Sequence, residues 1–153
     1  MKVEIIIAKR IHIKSIADNI READKRELYD YLLLSPIEAL EKSYAVSTLC
    51  WTGLIDGAPV CMFGASRASY LSDTGLVWMI GTKALDDHAM TFLRRCKHMV
   101  EVMRTVFPRL ENYVAEYNEK SIAWLKWLMF EFGQPEPMGL FKRPFIKFWM
   151  GDA

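Results

Sequence analysis

Apolar positions along the chain follow two periods, and the switches between them mark the elements. Val3–Arg10 is β-branched and alternates weakly, which predicts a strand. From His12 to about Leu33 the period is helical. Ile13, Ile16, Ala17, Ile20, Leu28, Tyr31 and Leu32 fall on one face, with Asp18, Arg21, Glu22, Lys25 and Arg26 on the solvated one. Ser35-Pro36 restarts the chain. Ser35 as N-cap, Pro36 as first helical residue and Glu38 at the capping-box position predict a second helix to about Val46.

Strands come next. Thr48–Ile55 and Pro59–Ser66 flank Asp56-Gly57, a strong hairpin signal. A looser turn at Ser72–Gly75 leads to Leu76–Thr82, an apolar run with the pattern of a central buried strand. Asp86 and Asp87 mark the start of a long helix to about Phe107, with Leu93, Cys96, Val100, Met103 and Phe107 on its apolar face. Pro108 ends it, because proline disfavours helical geometry in the residue before it. Glu111–Tyr117 is predicted as a strand. A helix from about Glu119 to Phe132 follows, N-capped by Asn118 and stopped by Gly133. Pro135-Glu136-Pro137 is expected to turn the chain, and Gly139–Met150 to close it as a strand.

This order, β-α-α-β-β-β-α-β-α-β-β, implies one domain over residues 1–153. Its fold class is α/β (α+β mixed sheet), with a central mixed sheet of about six or seven strands and helices on both faces. The chain of 153 residues is 52% hydrophobic and 25% charged, the composition of a globular protein with a real core. A net charge of +1 gives no sign of nucleic acid as a bulk partner. No apolar run reaches membrane-spanning length, and MKVEIIIAKR reads as a strand, so a cytoplasmic location is expected. Cys50, Cys61 and Cys96 are odd in number and lack metal-ligand spacing, as do the three histidines, so no metal is expected.

The element order resembles that of the GNAT superfamily of N-acyltransferases over nearly the whole chain, with the motif content concentrated in Leu76–Phe130. The strand ending VAEYN, Ser121 three residues past Asn118, and the apolar helix to Phe130 carry the likeness. The pattern is also similar to GNAT-like proteins of short-tailed phages, some of them virion-assembly or internal-virion proteins. The resemblance implies that two parallel strands splay to admit the pantetheine arm of acetyl-CoA. Met79, Gly81, Thr82, Lys83, Asn118 and Ser121 would then hold the cofactor.

The same resemblance shows what is missing. Gly81–Ala89 stands where the family has a Gly-rich pyrophosphate loop, but it carries one glycine and two aspartates, Asp86 and Asp87. Carboxylates there repel a diphosphate. The central strand offers no general base, which leaves Glu116 and Tyr117 as the nearest substitutes. The family commonly places a Tyr seven residues past the Asn, with Gly-Phe four and five residues further. Here those positions are Leu125, Met129 and Phe130. These losses favour a GNAT-like protein with eroded acetyltransferase motifs that acts through protein contacts, in virion assembly or with a host factor. The aromatic tail Phe141, Phe145, Phe148 and Trp149 would be the partner surface, or would pair two copies of the chain. The alternative is an acetyl-CoA-dependent N-acyltransferase on an unknown amine.

Overall fold

The computed structural model describes residues 1–152. Seven strands form one sheet in the order β1-β2-β3-β4-β5-β7-β6. They are β1 (Val3–Ile7), β2 (Leu49–Ile55), β3 (Ala58–Arg67), β4 (Thr74–Gly81), β5 (Arg109–Ala115), β6 (Glu131–Met138) and β7 (Arg143–Met150). All neighbours are antiparallel except β4 and β5, which run parallel. The β2–β3 turn is the one expected. Asp56 and Gly57 both take positive φ, 49° and 82°, as a tight two-residue hairpin requires.

Alternation along the strands divides the core between the two faces of the sheet. Cys61, Phe63 and Ala65 of β3 face α5 (Ala89–Val106) and α6 (Glu119–Trp127). Met62 of β3 and Ile80 of β4 face α1 (Ile13–Asp18), α2 (Glu22–Leu32) and α3 (Pro36–Val46). Phe92, Phe107 and Phe145 are fully buried, and each contributes roughly 1.5–3 kcal/mol of apolar transfer. α3 starts as predicted. Ser35 Oγ accepts from the Glu38 N–H at 3.3 Å, and Glu38 returns a carboxylate to the Ser35 N–H at 3.1 Å.

The helix expected over His12–Leu33 is broken. A 3-10 turn at Arg10–His12 and α1 are followed by an interruption at Asn19–Arg21 before α2 starts. Ile20 bridges Thr82, the Arg21 N–H donates to the Gly81 carbonyl at 2.9 Å, and the Lys83 N–H donates to the Asn19 carbonyl at 3.1 Å. Strand pairing across sixty residues outcompetes helix continuation. The long helix also starts later than Asp86-Asp87. A short turn, α4 (Lys83–Asp86), comes first, and α5 begins at Ala89.

The C-terminal third departs further. α6 ends at Trp127, and Gly133 lies inside β6. Pro135 and Pro137 sit within β6 without turning the chain. β6 is the sheet's edge, where a residue without an N–H costs no ladder bond. The turn comes at Gly139–Lys142, so the last strand starts at Arg143. Met129, where the family's count places glycine, has φ 75°, a left-handed conformation that side chains disfavour. Met129→Gly should therefore raise stability by about 1 kcal/mol in urea denaturation, since Met129 is 73% exposed and little packing is lost. An unchanged midpoint would show that the backbone there is unstrained.

Candidate functional site

β4 and β5 pair only at Thr74–Leu76 with Arg109–Glu111 and then part. Asn112 bridges the start of the gap, donating from Nδ2 to the Val77 carbonyl at 2.9 Å. At the far end the Gly81 N–H donates to Asp24 Oδ2 at 2.9 Å, and the Gly81 carbonyl takes the Arg21 N–H. Strand alternation points Met79 at the same gap. The β5 ladder has ended before this residue, so the edge of β4 that carries it faces the gap. A cavity of about 280 Å³ runs through the gap, lined on the α5–α6 side by Leu93, Met103, Trp124 and Leu125 and on the α2 side by Glu27, Leu28, Tyr31 and Trp78.

The break before α2 delivers a buried polar cluster to the Gly81 end of this cavity. Arg21 is 4% exposed and Asp24 8%. Arg21 Nη1 binds Asp24 Oδ1 at 2.7 Å, and its Nε binds Asp86 Oδ1 at 2.9 Å. Its guanidinium lies 4.6 Å from the Trp124 ring centroid and 3.4 Å from Ser121 Oγ. One side chain therefore ties α2 to α4 and α6. Burial raises the Asp24 pKa, while Arg21, the Gly81 N–H and Asn118 pull it back down.

Asn118 occupies the N-cap position of α6, but its side chain caps nothing. Nδ2 donates instead to Glu27 Oε2 at 2.7 Å and to Asp24 Oδ1 at 3.3 Å. Its Oδ1 is buried and has no partner among the described residues. An orphaned acceptor of this kind costs about 1–3 kcal/mol and indicates a missing donor. Burial pushes the half-buried Glu27 carboxyl up to about 7, with the hydrogen bond from Asn118 opposing and the Asp24 charge adding to the rise.

A second, polar cleft opens beside Arg21, between α2, α4 and α6. Glu22, Lys83, Asp86, Tyr117, Asn118, Glu119 and Lys120 line it. Asp86 is neutralised there by Arg21 and by Lys120 at 3.6 Å, so the repulsion expected of this aspartate is largely cancelled. Among the described residues no cluster of three His, Cys, Asp or Glu side chains is placed to hold a metal.

Of the residues singled out from the sequence, Met79, Asn118 and Ser121 come together around the cavity, and Lys83 lies on the polar cleft. Gly81 closes the gap's far end through Asp24. Thr82 turns away from it, its Oγ1 bonding the Val60 carbonyl. Glu116 is exposed and lines neither cavity, and its N–H goes to the Pro144 carbonyl. Tyr117 donates its hydroxyl to Asp30 Oδ2 at 3.0 Å under the Arg26 guanidinium, and its pKa is raised by burial and by that carboxylate. The tail aromatics divide. Phe145 and Phe148 are core residues, Trp149 is half-buried against Arg109, and Phe141 is 42% exposed. Arg21, Asp24 and Glu27 escaped the sequence reading. Arg21 was placed on the solvated face of one long helix, and Asp24 and Glu27 were not singled out.

No protein-family model matches the sequence, and no curated protein matches it either. Solved structures do. A spermidine N-acetyltransferase from Vibrio cholerae, in complex with CoA and spermine, matches at 12% identity and TM-score 0.70, over 97% of this chain and 94% of that one. A protein assigned as a phosphinothricin N-acetyltransferase matches at 10% identity and TM-score 0.72, over 99% of both chains. A ribosomal-protein alanine acetyltransferase from Vibrio fischeri matches at 11% and 0.67, over 99% and 93%. The chain thus has the GNAT fold, a mixed sheet with helices on both faces. The same neighbours overturn the expectation of a chain without catalysis that works through virion or host contacts. They are acetyltransferases by name and favour the alternative, an acyl-CoA-dependent N-acyltransferase.

Proposed function

We propose that the protein is an acetyl-CoA-dependent N-acyltransferase acting on a primary amine. The observation that carries this reading is the gap between β4 and β5, with the free edge of β4 at Met79 on one wall and the orphaned Asn118 Oδ1 at its far end. An extended arm bearing amide groups, such as pantetheine, pairs with a free strand edge as another strand would. Lys83 and Lys120, on the polar cleft, would face the diphosphate. Acetyl-CoA would supply an activated acyl group as a thioester.

The chain's own residues supply the proton chemistry. Glu27, with a pKa near 7, takes a proton from the incoming ammonium at neutral pH. As the amine nitrogen forms the amide bond, the carbon–sulfur bond of the thioester would break. Tyr113 or Tyr31, both of which line the cavity, would pass the second proton shed by this nitrogen to the departing sulfur, and Glu27 would return its own proton to solvent. This assigns the base to Glu27 over Glu116, which is exposed and lies away from the cavity.

Acetyl-CoA at about 100 times its dissociation constant should stabilise the fold by about 2.7 kcal/mol, read as a thermal shift. Lys83→Glu with Lys120→Glu should reduce that shift. No shift at millimolar acetyl-CoA would exclude the reading.

A further inference from the structure

The α2-side half of the cavity is acidic at its inner end and apolar elsewhere. Asp24 and Glu27 stand at the inner end beside Asn118 Oδ1. Outward from them the wall is Leu28, Tyr31, Leu32, Trp78 and Tyr113. Tyr31 sits between two aromatic rings, with centroids 6.2 Å from Tyr113 and 5.1 Å from Phe145. Leu32 both lines the cavity and is 50% exposed, so the cavity reaches the surface at this residue.

The surface there is apolar as well. The β6–β7 turn packs on the last turn of α2, with Gly139 against the backbone of Asp30 and Tyr31. Phe141 from that turn stacks on Tyr29 at 5.6 Å, and Leu33 and Leu140 are exposed on either side. Lys142 is exposed in the same turn and Arg143 at the start of β7, while Asp30 is already held by the Tyr117 hydroxyl and Arg26.

Resting on the acyltransferase reading above, we propose that the acceptor is a small primary amine carried on an apolar or aromatic group, and that polyamines are disfavoured. The ammonium meets Glu27, Asp24 and the orphaned Asn118 oxygen, which accept the donors that an ammonium carries. Tyr31 and Tyr113 offer ring faces to the cation and to an aromatic body. The cavity offers no carboxylate beyond Asp24 and Glu27, so an extended polyamine would lay its second ammonium along Leu28, Tyr31 and Leu32.

The test measures initial rates of amide formation by mass spectrometry with the full chain, saturating acetyl-CoA, and either phenethylamine or spermidine. Phenethylamine should be preferred in kcat/KM by roughly tenfold or more, the scale of discrimination by apolar pocket contacts. Leu32→Glu and Phe141→Ser should each raise the KM for phenethylamine, with the acetyl-CoA thermal shift as folding control. Equal or faster turnover of spermidine, or an unaltered KM in both variants, would overturn the proposal. If no amine is acetylated, phenethylamine is titrated calorimetrically onto the protein with CoA present. Saturable binding weakened by Leu32→Glu would support the apolar amine site while removing the acyltransferase reading, and absence of binding would overturn the proposal itself.

Discussion

Arg21→Met is expected to destabilise the protein by about 3–5 kcal/mol, the usual cost of leaving a buried charge without its partner. Arg21 is the only cation bonded to Asp24 among the described residues, and neither side chain reaches water freely. Removing the guanidinium also frees Asp86 on α4 and uncovers the Trp124 ring on α6. For a domain of this size the loss corresponds to a drop in melting temperature on the order of 10 °C. Asp24→Asn added to Arg21→Met should recover much of it, because the amide carries no charge and still accepts from the Gly81 N–H. Urea denaturation of the two single variants and the double variant measures the coupling. A purely additive double variant would mean that the pair does not act as a unit.

Glu27→Gln is expected to lower kcat by roughly 10²–10⁴-fold, the contribution of a well-placed general base. In the unaltered protein the rate should rise with pH through about 7, as the Glu27 carboxyl ionises. The Gln variant should lose that inflection while keeping the hydrogen bond from Asn118. Stability should move the other way. The folded pKa stands above the ordinary value of 4.5, so the folded state holds a proton that the unfolded chain has released. This stabilising contribution is complete below about pH 4.5 and is lost as pH rises through about 7. Glu27→Gln should therefore flatten the fall in stability between pH 5 and 8. A variant with the same pH–rate profile as the parent would remove Glu27 from the chemistry.

The two expectations share a cause. A carboxylate kept half-buried at the end of a cavity is costly to ionise, and that cost puts its proton affinity in the range useful for taking a proton from an amine. Arg21 and Asn118 hold α2 in place so that the cost is met where the two strands part. The destabilising features of the fold, including the orphaned Asn118 oxygen and the free edge of β4 at Met79, concentrate at that point.

Much of the architecture was legible from local patterns. The Asp56-Gly57 hairpin, the Ser35 capping box and the apolar run that makes β4 a central strand depend on residues within a few positions of one another. The structure reproduces all three. Counting from Asn118 located Met129, whose left-handed backbone suits the glycine of the resembled family. The eroded motif signals misled because a missing Tyr or Gly is visible in sequence, whereas a replacement group arriving from another element is not. Pro135 and Pro137 misled for a related reason, since only membership of an edge strand makes them tolerable.

The sequence by itself determined most of the order of elements and the two-faced core, because periodicity and turn chemistry act over short spans, while the splay of two parallel strands followed from the resemblance alone. Only the tertiary structure decided what stands at the splay. Contacts that build it join residues as far apart as Asp24 with Gly81 (57 positions), Asp24 with Asn118 (94) and Arg21 with Ser121 (100). Residues 19–21 leave the helix because β5 has vacated the edge of β4 and its free peptide groups need partners. That break turns Arg21, Asp24 and Glu27 inward, and Arg21, which the helical pattern assigned to water, joins two carboxyl groups at the polar end of the cavity.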